Sequence, residues 1–317
     1  MNDIVKDTIE LTCTAVLAII LLLYAGKIMD PFEAEYGLEA IKAFHMIEND
    51  SCDVIVYGSS HSWKGCDTRV MHDKYGIDVY NYGCNWQNSD TTLLFLKDSF
   101  RTQKPKLVCI ETYTLPRERM VDMDMDGQIY YTRAMSWFRG KWEYLHKCFK
   151  NDLERYASYI LPIIVFHDNW DKITEESFRP SNPERFVKNL GFFDNDEIWE
   201  EGEINLVPKK ENQADLPMET IEILDEISKL CREHNVQVML YTVPYEGSEP
   251  FKDAIQKYAD DNQMTYLDLF DFPDKLGLDP ATDLSDPRHL NKNGAAKVGN
   301  VLGEFIAYSY GIGNLQN

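Results

Sequence analysis

Short apolar runs rich in β-branched residues alternate along this chain with segments that repeat apolar residues at helical spacing. The runs predict strands at residues 52–57, 78–82, 106–111, 236–243 and 264–269. The intervening periodicity predicts helices near residues 63–75, 89–102, 218–234, 248–261 and 292–309. Strand–helix–strand units join parallel strands through right-handed crossovers. The pattern therefore predicts an α/β fold with a parallel sheet of about five strands between two layers of helices.

Residues 113–215 do not follow this alternation. They contain a concentration of aromatic side chains, an apolar run at residues 159–166 and an acidic stretch at residues 194–203. Because such an interval is too long for a loop in a compact domain, we expect a largely helical insertion. It could act as a lid or substrate wall, or it could thicken the domain without a functional role.

The N-terminal region contains one segment of membrane-spanning character. Residues 11–25 are nearly all apolar, and together with Ile28 and Met29 they make the segment at residues 9–29 about long enough to cross a bilayer. We expect a tail and transmembrane anchor at residues 1–30, an amphipathic connector helix at residues 31–50 and the α/β domain at residues 51–317. A cleaved signal peptide, with a mature N-terminus near residue 27, and a buried helix are the alternatives.

Composition and charge exclude some classes of function. The formal net charge of -21 argues against a nucleic-acid partner, because phosphate binding needs a basic face and the lysines do not cluster. The 7 cysteines lack the spacing of disulfide or zinc frameworks, so we interpret them as small buried apolar residues. No cofactor is predicted.

One acidic segment partly matches a calcium-binding loop. Asp122, Asp124, Asp126 and Gly127 follow the first half of that pattern. The twelfth position, which supplies a bidentate glutamate in such loops, is Arg133. Because that ligand closes the site, we interpret the segment as a solvated acidic loop and predict no metal.

Two motifs carry the side chains of nucleophilic catalysis. Gly58, Ser59 and Ser60 follow the first predicted strand, at the sheet edge where open α/β folds bind ligands. Asp286 and His289 precede the last predicted helix, at a spacing that lets the carboxylate orient the imidazole. Each motif has a structural alternative, since serine and aspartate also cap helices.

These motifs resemble the first and last sequence blocks of the SGNH (GDSL-type) hydrolase family. The segment Asn81-Tyr82-Gly83 is similar to the second block. The resemblance implies a flavodoxin-like three-layer fold of the SGNH type. It also implies Ser60 as nucleophile, His289 as general base and Asp286 as the orienting carboxylate. The amides of Ser60 and Gly83 would then be the oxyanion donors.

The resemblance covers residues 52–111 and 236–309 and departs from the family pattern twice. Ser59 stands where the commonest motif has aspartate, a replacement also found among membrane-anchored members. The third block usually carries Gly-x-Asn-Asp, but here the third strand ends in Glu111-Thr112-Tyr113, without the asparagine donor. Loss of an oxyanion donor raises the barrier by about 3 kcal/mol. We expect an amide on the loop after the second strand to replace it: Asn85, Gln87 or Asn88.

Further side chains are predicted to contact substrate: His61, Asn88, Glu111 and His167. His61 follows the proposed nucleophile, but adjacent residues in a turn point apart, which disfavours a role as base. His167 and Trp170 are similar to a His-x-x-Trp stretch of anchored family members and share a helical face. They form either a buried packing pair or part of the substrate wall.

The whole pattern is most similar to the surface-polymer branch of the family, which includes the D-alanyl transfer protein of teichoic acid synthesis and the alginate O-acetylation proteins. Those proteins are tethered by one N-terminal helix, face the outside and work beside a membrane-bound O-acyltransferase. The resemblance implies a single-pass cell-membrane protein with a cytoplasmic tail and an extracytoplasmic domain. It implies esterase or O-acyltransferase chemistry on a cell-surface glycan or polymer, through an acyl-serine intermediate.

A second function remains open at this stage. A non-catalytic accessory protein could keep the fold and bind a glycan or the acyltransferase. The missing asparagine and the aromatic-rich insertion favour it, because aromatic faces stack on sugars. The two functions differ in one geometric feature, since an enzyme requires a continuous hydrogen-bond chain from Asp286 through His289 to Ser60.

Overall fold

The computed structural model describes residues 3–30, 36–115, 129, 131–200, 206, 215–246 and 251–314. The chain divides into two compact units, one formed by Met1–Glu39 with Ile129–Asn182 and the other by Ala40–Gln128 with Pro183–Asn317. The predicted acidic loop at residues 122–127 lies outside the described residues. The domain boundaries expected from the sequence stay predictions.

A parallel sheet forms the centre of the larger unit. Its strands within the described residues are β1 (Val54–Tyr57), β2 (Val79–Asn81), β3 (Leu107–Glu111), β4 (Gln237–Thr242) and β5 (Thr265–Asp268). Their order across the sheet is β2-β1-β3-β4-β5, and each neighbouring pair is parallel. This is the flavodoxin-like order of doubly wound folds. The predicted α/β fold with a parallel sheet of about five strands is confirmed.

The other regular elements that the structure describes are helices and one small ribbon. The described α-helices are α1 (Asp3–Met29), α2 (Tyr36–Phe44), α3 (Ser60–Trp63), α4 (Thr68–Tyr75), α5 (Ser89–Ser99), α6 (Arg139–Phe149), α7 (Leu153–Ile160), α8 (Ile163–Phe166), α9 (Glu184–Lys188), α10 (Met218–Glu233), α11 (Lys252–Asp261), α12 (Pro273–Leu276), α13 (Pro280–Asp283) and α14 (Lys292–Tyr310). Short 3₁₀ helices lie at Thr132–Ala134, His167–Lys172, Glu175–Phe178 and Leu269–Asp271. Strands β6 (Leu284–Asp286) and β7 (His289–Leu290) form an antiparallel ribbon just before α14.

Strands β1, β2 and β3 are buried throughout, and β4 and β5 are buried toward their carboxyl ends, as expected for a parallel sheet between helical layers. Val54 and Val56 of β1 belong to a core cluster with side chains of α4 and α14, among them Met71 and Leu302. Tyr57, which points to the opposite face, hydrogen-bonds the Ser99 hydroxyl at the end of α5. Successive side chains of one strand therefore contact the two different layers.

The smaller unit is helical and includes the N-terminal segment. Among the described residues, α1 is the helix that is long and apolar enough to cross a membrane, a property that signal sequences share. Helices α6, α7 and α8 belong to this unit and lie within the interval that the sequence predicts as a largely helical insertion. The connector helix α2 is shorter than predicted, although Leu38, Ile41 and Phe44 are buried as its periodicity indicates.

Candidate active site

The turn after β1 places two neighbouring serines in different roles. Gly58 leaves the strand with φ of 148°, and α3 begins two residues later. Ser59 caps α3, because its Oγ accepts a hydrogen bond from the His61 amide at 3.3 Å. Ser60 is the first residue of the helix, so its hydroxyl is not used as the cap. The helix-cap alternative therefore describes Ser59 and leaves Ser60 available for chemistry.

Ser60, His289 and Asp286 form a continuous hydrogen-bond chain. Ser60 Oγ lies 2.8 Å from His289 Nε2, and His289 Nδ1 lies 2.8 Å from Asp286 Oδ2. An ionised carboxylate only accepts, so Nδ1 carries the proton and Nε2 accepts from the serine hydroxyl. The structure brings together residues that are 229 positions apart in the chain, in the geometry that activates a serine.

The ribbon before α14 sets the carboxylate opposite the imidazole. Asp286 of β6 pairs with His289 of β7 in the antiparallel register. Asp286 Oδ1 also accepts from the Arg288 amide at 2.8 Å and from the His289 amide at 3.1 Å. The N-cap of α14 is Asn291, whose Oδ1 accepts from amides in the first turn. The alternative interpretation of Asp286 as the cap of the last helix is therefore wrong.

These hydrogen bonds determine the charge of Asp286. Partial burial by itself would raise the pKa of this carboxyl group. The hydrogen bonds from the His289 ring and the Arg288 amide outweigh burial, so the pKa lies below its ordinary value. Asp286 is consequently ionised at neutral pH and can stabilise the imidazolium that forms when His289 takes a proton.

The two amides predicted as oxyanion donors differ in their surroundings. Among the described residues, none accepts a hydrogen bond from the Ser60 amide. The Gly83 amide, by contrast, donates to Asn81 Oδ1 at 3.1 Å. Asn85 lies in the turn that follows, partly exposed, and its side chain is not hydrogen-bonded to another described residue. The oxyanion roles of Ser60, Gly83 and Asn85 stay predictions.

Asn81 connects β2 to the nucleophile turn, a role that the sequence did not indicate. Its buried side chain donates through Nδ2 to the Ser62 carbonyl at 2.9 Å and to the Cys66 carbonyl at 3.3 Å. The Cys84 amide donates to the Gly58 carbonyl at 3.2 Å, which joins the same two loops. The available signal was the position of Asn81 at the carboxyl end of β2, beside β1.

The other proposed amides after β2 serve the local structure. Asn88 caps α5 and forms a reciprocal capping box with Thr91. Gln87 is fully buried, and its Nε2 donates to Thr92 Oγ1 at 3.2 Å. Gln87 Oε1 has no hydrogen-bond partner among the described residues. Their roles as oxyanion donor or substrate contact stay predictions.

Glu111 lies behind the nucleophile turn and is only 1% exposed. Its Oε2 accepts from Ser59 Oγ at 3.1 Å, and its Oε1 accepts from the Tyr113 amide at 2.7 Å. A Cβ on Gly58 would lie 2.5 Å from the Glu111 Cβ, so glycine makes room for this carboxylate. The structure thus places Glu111 against the backbone that holds Ser60.

His61 is buried in an aromatic cluster beside the catalytic imidazole. Its ring stacks on Tyr113 at 3.7 Å between centroids, and Tyr245 meets the same ring edge-on at 5.0 Å. The His61 and His289 rings are 5.1 Å apart. The sequence did not single out Tyr113 or Tyr245, although each follows the carboxyl end of a predicted strand, where site residues collect. A substrate contact by His61 stays a prediction.

His167 lies in the smaller unit. Its Nδ1 is 3.1 Å from the Ile164 carbonyl oxygen, and its Nε2 is 3.3 Å from Asp168 Oδ1. The side chains of His167 and Trp170 are both largely exposed. The interpretation of His167 and Trp170 as a buried packing pair is therefore wrong, and a substrate contact by His167 stays a prediction.

Cysteines and possible metal ligands do not form a second centre in the described part of the chain. No group of three or more His, Cys, Asp or Glu side chains converges on a metal position there. The described cysteines of the larger unit, Cys52, Cys66, Cys84, Cys109 and Cys231, are buried. Burial raises the pKa of the Cys52 thiol to about 11, which keeps it protonated and unreactive.

Comparisons with known proteins add little to this geometry. No protein-family model and no curated protein matches the chain. A solved structure from Bacteroides fragilis, provisionally described as an acylhydrolase, resembles it over 88% of this chain and 98% of that chain. The TM-score is 0.38 and the sequence identity 11%, which is too low to carry an argument about activity.

Proposed function

We propose that this protein is a membrane-anchored SGNH-type serine esterase or O-acyltransferase that acts on a cell-surface glycan or polymer. The observation that supports the chemistry is the Ser60–His289–Asp286 hydrogen-bond chain, with 2.8 Å at both links. A serine hydroxyl becomes a useful nucleophile when a neighbouring imidazole takes its proton, and a carboxylate holds that imidazole in the required tautomer.

The first half of the reaction forms an acyl-serine. Ser60 Oγ attacks the carbonyl carbon of an ester or thioester while its proton passes to His289 Nε2. The carbonyl oxygen becomes an oxyanion, which the Ser60 amide can stabilise. When the tetrahedral intermediate collapses, the bond to the leaving group breaks and His289 returns its proton to the leaving oxygen or sulfur.

The second half of the reaction depends on the acceptor. Water or a glycan hydroxyl gives its proton to His289 and attacks the acyl carbon, which releases Ser60. Water as acceptor makes the enzyme an esterase, and a sugar hydroxyl makes it an O-acyltransferase. The apolar helix α1 supports action at a membrane surface, where the domain faces the outside and a membrane-bound O-acyltransferase is the proposed source of the acyl group.

Labelling with a fluorophosphonate probe tests the proposed chemistry on the full chain extracted from membranes. The wild type is expected to be labelled, whereas Ser60→Ala and His289→Ala are not. Ser181→Ala and His72→Ala are matched controls, because both side chains are exposed and lie outside the hydrogen-bond chain. A folded wild type that resists the probe, or labelling that survives Ser60→Ala, would contradict the proposal.

An accessory binding function is the second candidate, and two observations favour it. The Gly83 amide is engaged by Asn81, so an oxyanion could use it only by sharing or replacing that bond. Trp137 and Trp142 are each about half exposed with ring centroids 4.8 Å apart, an arrangement that can stack on a sugar. Under this alternative, glycan binding is retained in Ser60→Ala and lost in Trp142→Ala.

A further inference from the structure

An exposed apolar surface occurs on the smaller unit. It consists of Ile160, Ile164, Val165 and Trp170, which are between 39% and 69% exposed. They lie at the end of α7, in α8 and in the 3₁₀ helix His167–Lys172, and these consecutive elements contact one another. Scattered exposed apolar side chains are ordinary, whereas larger exposed apolar patches mark protein or membrane interaction sites, and four of these side chains are concentrated here on elements that contact one another.

This apolar surface adjoins the end of α1. A Cβ on Gly26 would lie only 2.8 Å from the Ile163 backbone nitrogen, so α1 and α8 approach closely. Asn169 Nδ2 donates to the Met29 carbonyl at 3.3 Å. Ile163 and Asn169 are the chain neighbours of Ile164 and Trp170. The contacts that hold α1 to this unit therefore also hold the apolar surface beside its last turn.

The apolar surface adjoins the last turn of α1, and this position determines its depth relative to the bilayer. The uncharged apolar stretch of α1 extends from Leu11 to Ala25, between Glu10 and Lys27, and measures roughly 21 Å at 1.5 Å per residue, which covers about two-thirds of the hydrocarbon core of a bilayer. Gly26 and Met29 follow directly and so lie at the level where a spanning helix leaves the hydrocarbon. Tryptophan is enriched at that level, because its ring is apolar and its N–H needs a polar partner.

The charge of residues 129–182 is compatible with contact to a lipid surface. Residues 129–182 carry eight Lys and Arg against seven Asp and Glu, whereas the chain as a whole carries 32 against 53. Anionic lipids repel acidic protein surfaces, and this segment lacks the acidic excess of the rest of the chain.

We infer that the apolar surface of Ile160, Ile164, Val165 and Trp170 inserts into the interfacial region of the bilayer that α1 spans. The inference rests on the membrane anchoring in the proposed function. A single helix leaves its attached unit free to tilt and rotate, whereas a second contact beside the helix end restricts both motions. The smaller unit would thus be held against the membrane at two places.

Lipid quenching of tryptophan fluorescence tests the inference. The full chain is reconstituted in phosphatidylcholine–phosphatidylglycerol vesicles whose acyl chains carry bromine at a shallow or a deep position. Subtracting the spectrum of Trp170→Phe from that of the wild type isolates the Trp170 signal. Shallow bromines are expected to remove about half of that signal and deep bromines much less, because the ring lies at the interface. Trp86→Phe provides the matched control, since Trp86 is exposed in the other unit and outside the apolar surface.

Two further measurements on the same vesicles distinguish failure of this inference from failure of the proposed function. Flotation reports whether α1 anchors the protein, and fluorophosphonate labelling reports the activated serine. Protein that floats and is labelled, but whose Trp170 signal is insensitive to both bromine positions, overturns the inference and leaves the proposed function intact. The same insensitivity is expected if a second copy or another protein covers the surface. Protein that does not float overturns the anchoring and the inference together.

Discussion

At the scale of single residues, Asp286 is expected to control turnover. Its carboxylate holds His289 in the tautomer that accepts the Ser60 proton, so Asp286→Asn should lower kcat by about 10⁴-fold. The measurement is hydrolysis of an activated ester, with Asp274→Asn as the control at an exposed position of the same unit. A loss smaller than tenfold would show that the carboxylate does not orient the base.

The lowered pKa of Asp286 also predicts how stability depends on pH. A carboxyl group whose pKa is lower in the folded than in the unfolded chain stabilises the fold above its unfolded pKa, about 3.9. The wild type is therefore expected to be more stable than Asp286→Asn at neutral pH. The difference should disappear as the pH falls through the lowered value, and thermal unfolding from neutral to acid pH would reveal it.

Glu111 is expected to act as a positioning residue for the nucleophile turn. Its carboxylate accepts a hydrogen bond from the Ser59 hydroxyl, and the side chain is almost inaccessible to substrate. Glu111→Gln should therefore lower kcat about tenfold with KM unchanged, since it weakens a hydrogen bond near the reacting group but removes no substrate contact. A rise in KM at constant kcat would instead support the substrate contact predicted from the sequence.

A paired substitution separates this positioning role from a general loss of stability. Ser59→Asp places a second carboxylate beside that of Glu111, where like charges raise a pKa and disfavour burial. Combining Ser59→Asp with Glu111→Gln removes one of those charges. The double variant is expected to recover activity relative to Ser59→Asp alone, and the absence of recovery would argue against coupling between the two positions.

At the scale of elements, the junction of β1 and α3 depends on glycine. Gly58 has φ of 148°, and a Cβ there would lie 2.5 Å from the Glu111 Cβ and 2.9 Å from the Ser62 Cβ. Gly58→Ala is therefore expected to destabilise the protein by about 2 kcal/mol and to lower Tm in detergent-solubilised full chain. Gly311→Ala is a control for a glycine of positive φ without a steric neighbour, because its φ is 63° and nothing lies within 4 Å of its Cβ position. Equal losses in the two variants would contradict the steric argument.

At the scale of the whole molecule, α1 is expected to remain part of the mature protein. Gly26 packs on the Ile163 backbone, and the buried Asp30 carboxylate pairs with Arg133, so the end of α1 is integrated into the smaller unit. Cleavage near residue 27 would remove the Gly26 contact. Mass spectrometry of carbonate-washed membranes should therefore detect protein that contains α1, and a mature N-terminus near residue 27 would contradict this.

A matched pair of variants tests the same contact. Gly26→Leu is expected to lower Tm, because no side chain fits between α1 and α8. Ala18→Leu adds similar bulk to an exposed position of the same helix and is expected to leave Tm unchanged. Equal effects of the two substitutions would show that the close approach at Gly26 does not contribute to stability.

Local sequence patterns were sufficient for the sheet, and they singled out three side chains that the structure brings together: Ser60, Asp286 and His289. The alternation of apolar runs predicted the strands because a parallel strand is buried on both faces and so reads as a continuous apolar run. The position of Ser60 after β1 pointed to the edge of the sheet where ligands bind, and the spacing of Asp286 and His289 indicated a carboxylate that orients an imidazole. That these two motifs meet was implied only by the family resemblance. Nothing local to residues 58–62, however, showed which serine caps α3 and which meets His289.

The tertiary structure decided what depends on contacts between distant segments. Trp170 is exposed and Glu111 is buried, although tryptophan is usually the more buried of the two residue types. Their exposure depends on whether the face that carries each side chain packs against a neighbouring element. The Asn81 side chain joins β2 to the nucleophile turn because its Nδ2 donates to the carbonyls of Ser62 and Cys66, 19 and 15 residues away, which a strand prediction does not contain. The periodicity of a sequence determines which segments become strands and helices, whereas the partner of each polar atom is determined only when segments far apart in the chain come together.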